Sequence, residues 1–220
     1  MAVEAKICGL TRPEDAAIAA RLGAARLGVV FAWGPRVVTV EQAREIVAAS
    51  GGVPVIGVMG PGSASGWLGV AREAGLSGVQ LHGGASDAEA GTLRAAGLEV
   101  WRVATLAADA DPEAVIGRLR TNADAVLVEA GVHGGSGGGR GIRLDVELAR
   151  RARAVLADAS MVLAGGLDPD NVAEAIRLVG PDLVDVSSGV EISPGIKDME
   201  RIARFLEAAG DSGSPTRRGR

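Results

Sequence analysis

The 220-residue chain is nearly without aromatic side chains: three Trp, two Phe and no Tyr. Rings on which unpaired bases stack are therefore scarce, which argues against a single-strand nucleic-acid binder. An excess of positive charge is also missing, since 27 Asp and Glu outnumber 23 Lys and Arg for a net charge of −4, whereas a nucleic-acid surface is normally basic. Cysteine occurs once, at Cys8. Neither an intramolecular disulfide nor a multi-cysteine metal site can form, and a reducing compartment suits the chain. The two histidines, His82 and His133, stand on different segments without ligand-like spacing, so no metal is expected. No apolar run nears the ~18 residues that cross a bilayer, and the segment from Met1 to Ile7 carries Glu4 where a secretory leader would be basic. A soluble cytoplasmic protein with no membrane or nucleic-acid partner is the expectation.

Glycine is what the chain has in excess: 33 residues, about twice the usual ~7% share. Hydrophobic residues still make up 47%, too many for a disordered chain, so the glycines must have structural places. The length fits one domain. Short apolar runs rich in Val, Ile, Leu and Ala alternate from end to end with stretches of helical apolar spacing. The strand candidates are Val3–Ile7, Arg26–Phe31, Pro54–Met59, Gly78–Leu81, Leu98–Ala104, Ala125–Val128, Met161–Ala164 and Leu183–Val186. Between them lie helical stretches near Pro13–Leu22, Val40–Ser50, Ala64–Ala74, Asp87–Ala96, Pro112–Leu119, Asp145–Leu156, Pro169–Val179 and Lys197–Ala208. Thr11, Thr39 and Ser86 each precede an acid by about a turn and read as N-caps. Gly23, Gly75, Gly97 and Gly180 follow helical stretches, where a left-handed residue is commonly needed.

Eight strand-helix units with strands apolar on both faces specify an α/β fold, a single-domain (β/α)8 TIM barrel of parallel strands over residues 1–208. An open doubly wound sheet is the alternative, but its Gly-x-Gly-x-x-Gly turn is missing, because the first strand leads into Cys8-Gly9-Leu10-Thr11-Arg12. Residues 209–220 hold Gly, Ser, Pro and three Arg with no apolar period, and read as a disordered C-terminal tail.

Barrel active sites form at the C-terminal ends of the strands. That filter selects Cys8 after the first strand, Arg36 after the second, Gln80 and His82 at the fourth, and Glu129 at the sixth. It also selects Gly165-Gly166 after the seventh and Ser187-Ser188-Gly189 after the eighth. Small residues in the last two loops let backbone N–H groups converge on an anion, so a phosphate ligand is expected there. Lys6 lies two residues before Cys8, so strand alternation puts both on one face, where an ammonium favours the thiolate. Lys6 could equally be an interior charge paired with Asp185 or Glu129. A buried Glu129 suits a general acid, and Arg36 suits a two-pronged clamp on a carboxylate. Gly134 to Gly141 form a glycine-heavy run beside Glu129 that contains Arg140.

Taken together, several motifs resemble the phosphoribosylanthranilate isomerase family of tryptophan biosynthesis. They are Lys6-Ile7-Cys8-Gly9-Leu10-Thr11-Arg12, Pro35-Arg36, Val79-Gln80-Leu81-His82-Gly83, Ala164-Gly165-Gly166-Leu167 with Asn171-Val172, the run from Val184 to Glu191, and the run from Ser193 to Asp198. The resemblance implies a cofactor-free Amadori rearrangement of an aminoaldose to an aminoketose on a small phosphorylated substrate. It implies Cys8 as base and the carboxyl of Glu129 as acid, with Arg36 on the anthranilate carboxylate. Lys6, Gln80, His82 and Asp185 are expected to line the substrate, with Gly165, Gly166, Ser187, Ser188 and Gly189 on the phosphate. Trp33, near Arg36, is the ring candidate for the anthranilate. A monomer or homodimer is expected. The family has an aspartate where Glu129 stands, which adds one methylene, and a threonine where Arg140 stands. Two alternatives follow: a non-catalytic or altered-specificity phosphosugar-binding barrel, and an isomerase of the related histidine-pathway aminoaldose. The latter family has an aspartate in place of Cys8.

Overall fold

Eight parallel strands pair in sequence order and close into a barrel, with the last returning to the first. They are β1 (Glu4–Ile7), β2 (Arg26–Val30), β3 (Val55–Met59), β4 (Gly78–Leu81), β5 (Glu99–Leu106), β6 (Ala125–Ala130), β7 (Met161–Leu163) and β8 (Leu183–Val186). The helices are α1 (Pro13–Arg21), α2 (Val40–Ala49), α3 (Ala64–Ala74), α4 (Asp87–Ala95), α5 (Pro112–Ile116), α6 (Val146–Val155), α7 (Val172–Val179) and α8 (Met199–Asp211). The computed structural model describes residues 3–131 and 145–211. The Gly134–Gly141 run, His133 and residues 212–220 lie outside the described residues.

Every residue of β3, β4, β6 and β7 is buried, because helices cover one face of the sheet and packed side chains the other. Ile7, Leu27, Val29, Val79 and Val128 pack outward against helix faces carrying Ala19, Ile46, Ala71 and Leu93. A second cluster of Trp101, Ala125, Leu127, Val162 and Ala164 fills space apart from that layer. No helix among the described residues is long and apolar enough to cross a membrane.

Local signals act where the sequence places them, with one exception. Thr39 and Ser86 form complete capping boxes with Gln42 and Glu89. Gly75 and Gly180 take the left-handed conformation that ends α3 and α7. Thr11, however, is not a cap. The N-cap of α1 is Arg12, with no side-chain cap bond, and the Thr11 hydroxyl instead donates to the Gly195 carbonyl at 2.6 Å. Pro13 at the first helical position starts the helix in its place, since its ring fixes a helical φ and leaves no orphan N–H there.

Several boundaries also move: β5 runs on to Leu106, and α5 ends at Ile116 rather than Leu119. Helix α7 starts at Val172 rather than Pro169, because the Asp168 carboxylate accepts from the Asp170 and Asn171 N–H groups and holds a turn. The chain after β8 does not run directly into a helix. It makes a 3-10 turn at Ser188–Val190, then a hairpin of β9 (Glu191–Ser193) and β10 (Ile196–Lys197). Finally, α8 continues through Asp211 and buries Ala209, so residues 209–211 are helical rather than tail.

Candidate active site

Strand register brings the first charged group inward. Lys6 on β1 stands opposite Asp185 on β8, and its ammonium donates to Asp185 Oδ1 at 2.8 Å and to Gln80 Oε1 on β4 at 2.9 Å. The ammonium also lies 5.3 Å from the centre of the Trp101 ring, within range of a cation–π attraction. Burial disfavours its charge, yet Asp185 and Cys8 outweigh that and push Lys6 up to about 12. Of the two partners the sequence allowed for Lys6, the fold selects Asp185.

Cys8 follows two residues later on the same side, as alternation requires. Gly28 on β2 faces both: a Cβ there would stand 2.8 Å from Cys8 Sγ and 2.9 Å from Lys6 Cε. Burial pushes the thiol up, and the attraction of Lys6 does not compensate, because Asp185 opposes it. Burial outweighs the pull toward the thiolate that is expected, and present, from Lys6. Its charge is already engaged by a carboxylate.

Glu129 lies within β6 in register with Thr105 on β5. The Thr105 hydroxyl donates to Glu129 Oε1 at 3.2 Å, and His82 Nε2 is hydrogen-bonded to the same oxygen at 2.9 Å. His82 stands just past β4, and the Trp33 ring lies 4.9 Å from its ring at a tilt of 36°. The imidazole is therefore held on one side by a carboxylate and on the other by an aromatic face.

Arg36 reaches back from the segment after β2. Its Nε and Nη2 donate to the two carboxylate oxygens of Glu191 at 2.8 and 2.7 Å. Arg36 therefore makes a two-pronged bond through one of its edges, to the internal carboxylate of Glu191. Cys8, Arg36, Gln80, His82, Glu129 and Asp185 all line one cleft of about 440 Å³ with Trp33 and Ser187, within the usual volume of a small-ligand site. Among the described residues no three His, Cys, Asp or Glu side chains are placed to hold a metal ion.

The two glycine-containing loops meet beside this cleft. Gly165 and Gly166 have φ of 95° and 65°, which only glycine adopts readily. Gly189 approaches so closely that a Cβ would lie 2.0 Å from the Leu167 carbonyl oxygen. The loops after β7 and β8 thus pack backbone against backbone, with Ser187 and Ser188 beside them. Asn171 Nδ2 donates to the Gly166 carbonyl at 3.0 Å and steadies the first loop.

The sequence profile described as N-(5'phosphoribosyl)anthranilate (PRA) isomerase matches residues 5–208. The chain belongs to the phosphoribosylanthranilate isomerase family. A relative named N-(5'-phosphoribosyl)anthranilate isomerase from Zymomonas mobilis subsp. mobilis is 39% identical over 212 residues, covering 94% of this chain and 98% of the relative. One of the same name from Rubrobacter xylanophilus is 41% identical over 209 residues, covering 93% and 97%. The solved phosphoribosyl anthranilate isomerase of Thermus thermophilus superposes with a TM-score of 0.83 at 31% identity, covering 95% of this chain and 99% of that one. That of Thermotoga maritima gives 0.82 at 33% identity, with 94% and 98% covered.

Within this phosphoribosylanthranilate isomerase barrel, two buried charges escaped the sequence reading as site residues. Glu191 stood in a stretch noted only for its family likeness, and Lys197 in one noted also as the start of the eighth helical stretch, which instead begins at Met199. Lys197 Nζ donates to the Cys8 carbonyl at 2.6 Å, to the Ser187 carbonyl at 3.0 Å and to Glu191 Oε1 at 2.8 Å. Pro194-Gly195 between them was the available signal, since that pair turns a hairpin and sets its two ends side by side. Thr105 was also missed. A threonine in an apolar strand gives no sign of a partner until β5 pairs with β6.

Proposed function

We propose that this cleft isomerises N-(5'-phosphoribosyl)anthranilate in tryptophan biosynthesis, with Glu129 as general acid and Cys8 as general base. The observation that carries the reading is that Cys8, Glu129 and Arg36, from three separate strand ends, line the same cleft. Glu129 gives its proton to the ribose ring oxygen as the ring C–O bond breaks, leaving an open-chain iminium. The iminium acidifies the C2 proton. Cys8, acting as thiolate, takes that proton, and the electron pair forms an enamine that tautomerises to the ketone. Protons only move, so the reaction needs no cofactor.

Both bonds to Glu129 fall on Oε1, which leaves Oε2 to reach the ring oxygen. His82 and Thr105 hold the longer glutamate side chain at the height of the cleft. Arg36 receives the anthranilate carboxylate. The ring lies beside Trp33, while Lys6, Gln80 and Asp185 bound the ribose. Gly165, Gly166, Ser187, Ser188 and Gly189 take the phosphate through backbone N–H groups, as barrels often do at loops seven and eight. A solved phosphoribosyl anthranilate isomerase, 30% identical with a TM-score of 0.78, is a complex with reduced 1-(o-carboxyphenylamino)-1-deoxyribulose 5-phosphate, a ligand that carries both an aryl carboxylate and a phosphate.

The purified protein should consume the fluorescent substrate and restore growth to a tryptophan-requiring strain. Cys8→Ser should lose most turnover, and Glu129→Gln should lose ring opening. Full activity in both variants would remove the role assignment. The setting proposed is the cytoplasm, as a monomer or homodimer; the Thermotoga maritima relative is a dimeric protein from which monomers have been generated, and sedimentation velocity decides between the two states.

A further inference from the structure

Among the described residues, a second buried charge cluster beside the Lys6–Asp185 pair joins Arg36, Glu191 and Lys197. Their side chains are 12%, 4% and 1% exposed. Lys197 spends its three N–H donors on the carbonyls of Cys8 and Ser187 and on Glu191. It therefore ties the ends of β1 and β8 to the hairpin after β8. Glu191 Oε1 accepts from Lys197, Arg36 Nε and the Gly195 N–H, and Oε2 accepts from Arg36 Nη2. Its backbone carbonyl accepts from Arg201 Nη1 at 2.8 Å, which anchors β9 to α8. Every handle on Glu191 is thus taken by a fixed group.

A guanidinium has two forks, one formed by Nε with Nη2 and one by Nη1 with Nη2. Glu191 occupies the first. The second remains on a side chain that lines the cleft. The stem of Arg36 is confined as well, because a Cβ on Gly9 would stand 2.5 Å from Arg36 Cδ and 2.7 Å from Ser187 Oγ. The cluster carries two cations and one anion, so it keeps a net positive charge toward an anionic ligand.

We propose that Glu191, backed by Lys197, is a positioning residue that grips Arg36 by one fork and presents the other fork to the aryl carboxylate of the substrate. The inference rests on the reading of Arg36 as the carboxylate receptor. An arginine on a loop would otherwise have to be ordered at each binding event, and preorganisation removes that cost from the binding step.

The test compares Glu191→Gln, Glu191→Asp, Arg36→Gln and the Glu191→Gln/Arg36→Gln pair in the full chain. It reads KM, kcat, affinity for the reduced product analogue and inhibition by inorganic phosphate. Glu191→Gln should raise KM and weaken the analogue on the order of tenfold to a hundredfold, the loss typical when a group that orients a ligand-binding side chain is removed. Its kcat should stay within a few-fold and phosphate inhibition should be unchanged. Glu191→Asp should fall between wild type and Gln, and in the Arg36→Gln background Glu191→Gln should add little. Loss of fold would instead lower kcat through the active fraction and leave KM alone. Should Glu191→Gln fail to fold, Glu191→Asp, which keeps the charge, is read for a smaller rise in KM that disappears in the Arg36→Gln background. If Arg36→Gln leaves KM unchanged, the reading of Arg36 falls. If Arg36→Gln raises KM while the Glu191 variants do not, or if the two effects simply add, the positioning role is overturned.

Discussion

Replacing Gly28 by alanine adds one methyl group that meets both the base and the interior lysine. The new Cβ would meet Cys8 Sγ at 2.8 Å, Lys6 Cε at 2.9 Å and Cys8 Cα at 3.1 Å, against ordinary separations of about 3.5–4.0 Å. Sulfur must therefore retreat by roughly 0.7 Å or more, and the lysine stem by a similar amount, to restore contact distance. Retreat of Lys6 strains its bonds to Asp185 and Gln80, each already at hydrogen-bond length. Overpacking of this kind costs about 1–3 kcal/mol of stability, and a nucleophile or base displaced by close to an ångström loses up to about 100-fold in kcat. Gly69→Ala is the matched control. It makes the same chemical change on α3, where a Cβ meets nothing within 4 Å, and should stabilise by up to about 1 kcal/mol. Urea titration and steady-state turnover on both variants should show opposite signs in stability and a fall in kcat for Gly28→Ala alone. Wild-type stability and kcat in Gly28→Ala would refute the packing argument.

Other perturbations probe separate parts of the site. Gly189→Ala puts a Cβ 2.0 Å from the Leu167 carbonyl, so backbone must move; inhibition by inorganic phosphate should weaken by about 10-fold or more if this contact shapes the phosphate loops, and an unchanged inhibition constant would separate them. Lys6 titrates near 10.5 unfolded and about 12 folded, so the folded state holds its proton more tightly. That stabilisation, of about 2 kcal/mol, is complete below pH 10.5 and is lost as pH rises through 12. The difference in urea midpoint between wild type and Lys6→Met should therefore shrink over that range, and a difference that grows would contradict the assignment. The Cys8 thiol is raised above its ordinary value by burial, so iodoacetamide should alkylate it more slowly than free cysteine at pH 8, with a rate midpoint at higher pH than that of free cysteine; a midpoint at lower pH would contradict the electrostatic account.

Most of the barrel was legible because its signals are local. Apolar strands such as Val55–Met59, capping residues such as Thr39 and Ser86, and left-handed glycines such as Gly75 act within a few residues of themselves. Closure of eight such units then fixes which strand ends share a face, and this alone brings Cys8, Arg36, His82 and Glu129 to one end of the barrel. Thr11 shows the limit of that reasoning. Its sequence neighbours make it a cap, but the β9–β10 hairpin brings a carbonyl 2.6 Å away and takes the hydroxyl.

What the chain determined by itself was therefore the periodicity, the order of elements and the face on which chemistry gathers. Only the tertiary structure decided who pairs with whom. Lys6 chose Asp185 over Glu129 across 179 residues, Arg36 closed on Glu191 across 155, and Lys197 reached the Cys8 carbonyl across 189. Such pairings depend on strand register and ring closure, which sum over the whole barrel. A buried charge takes whichever opposite partner that geometry delivers, because leaving it unpaired costs more than any local preference can return.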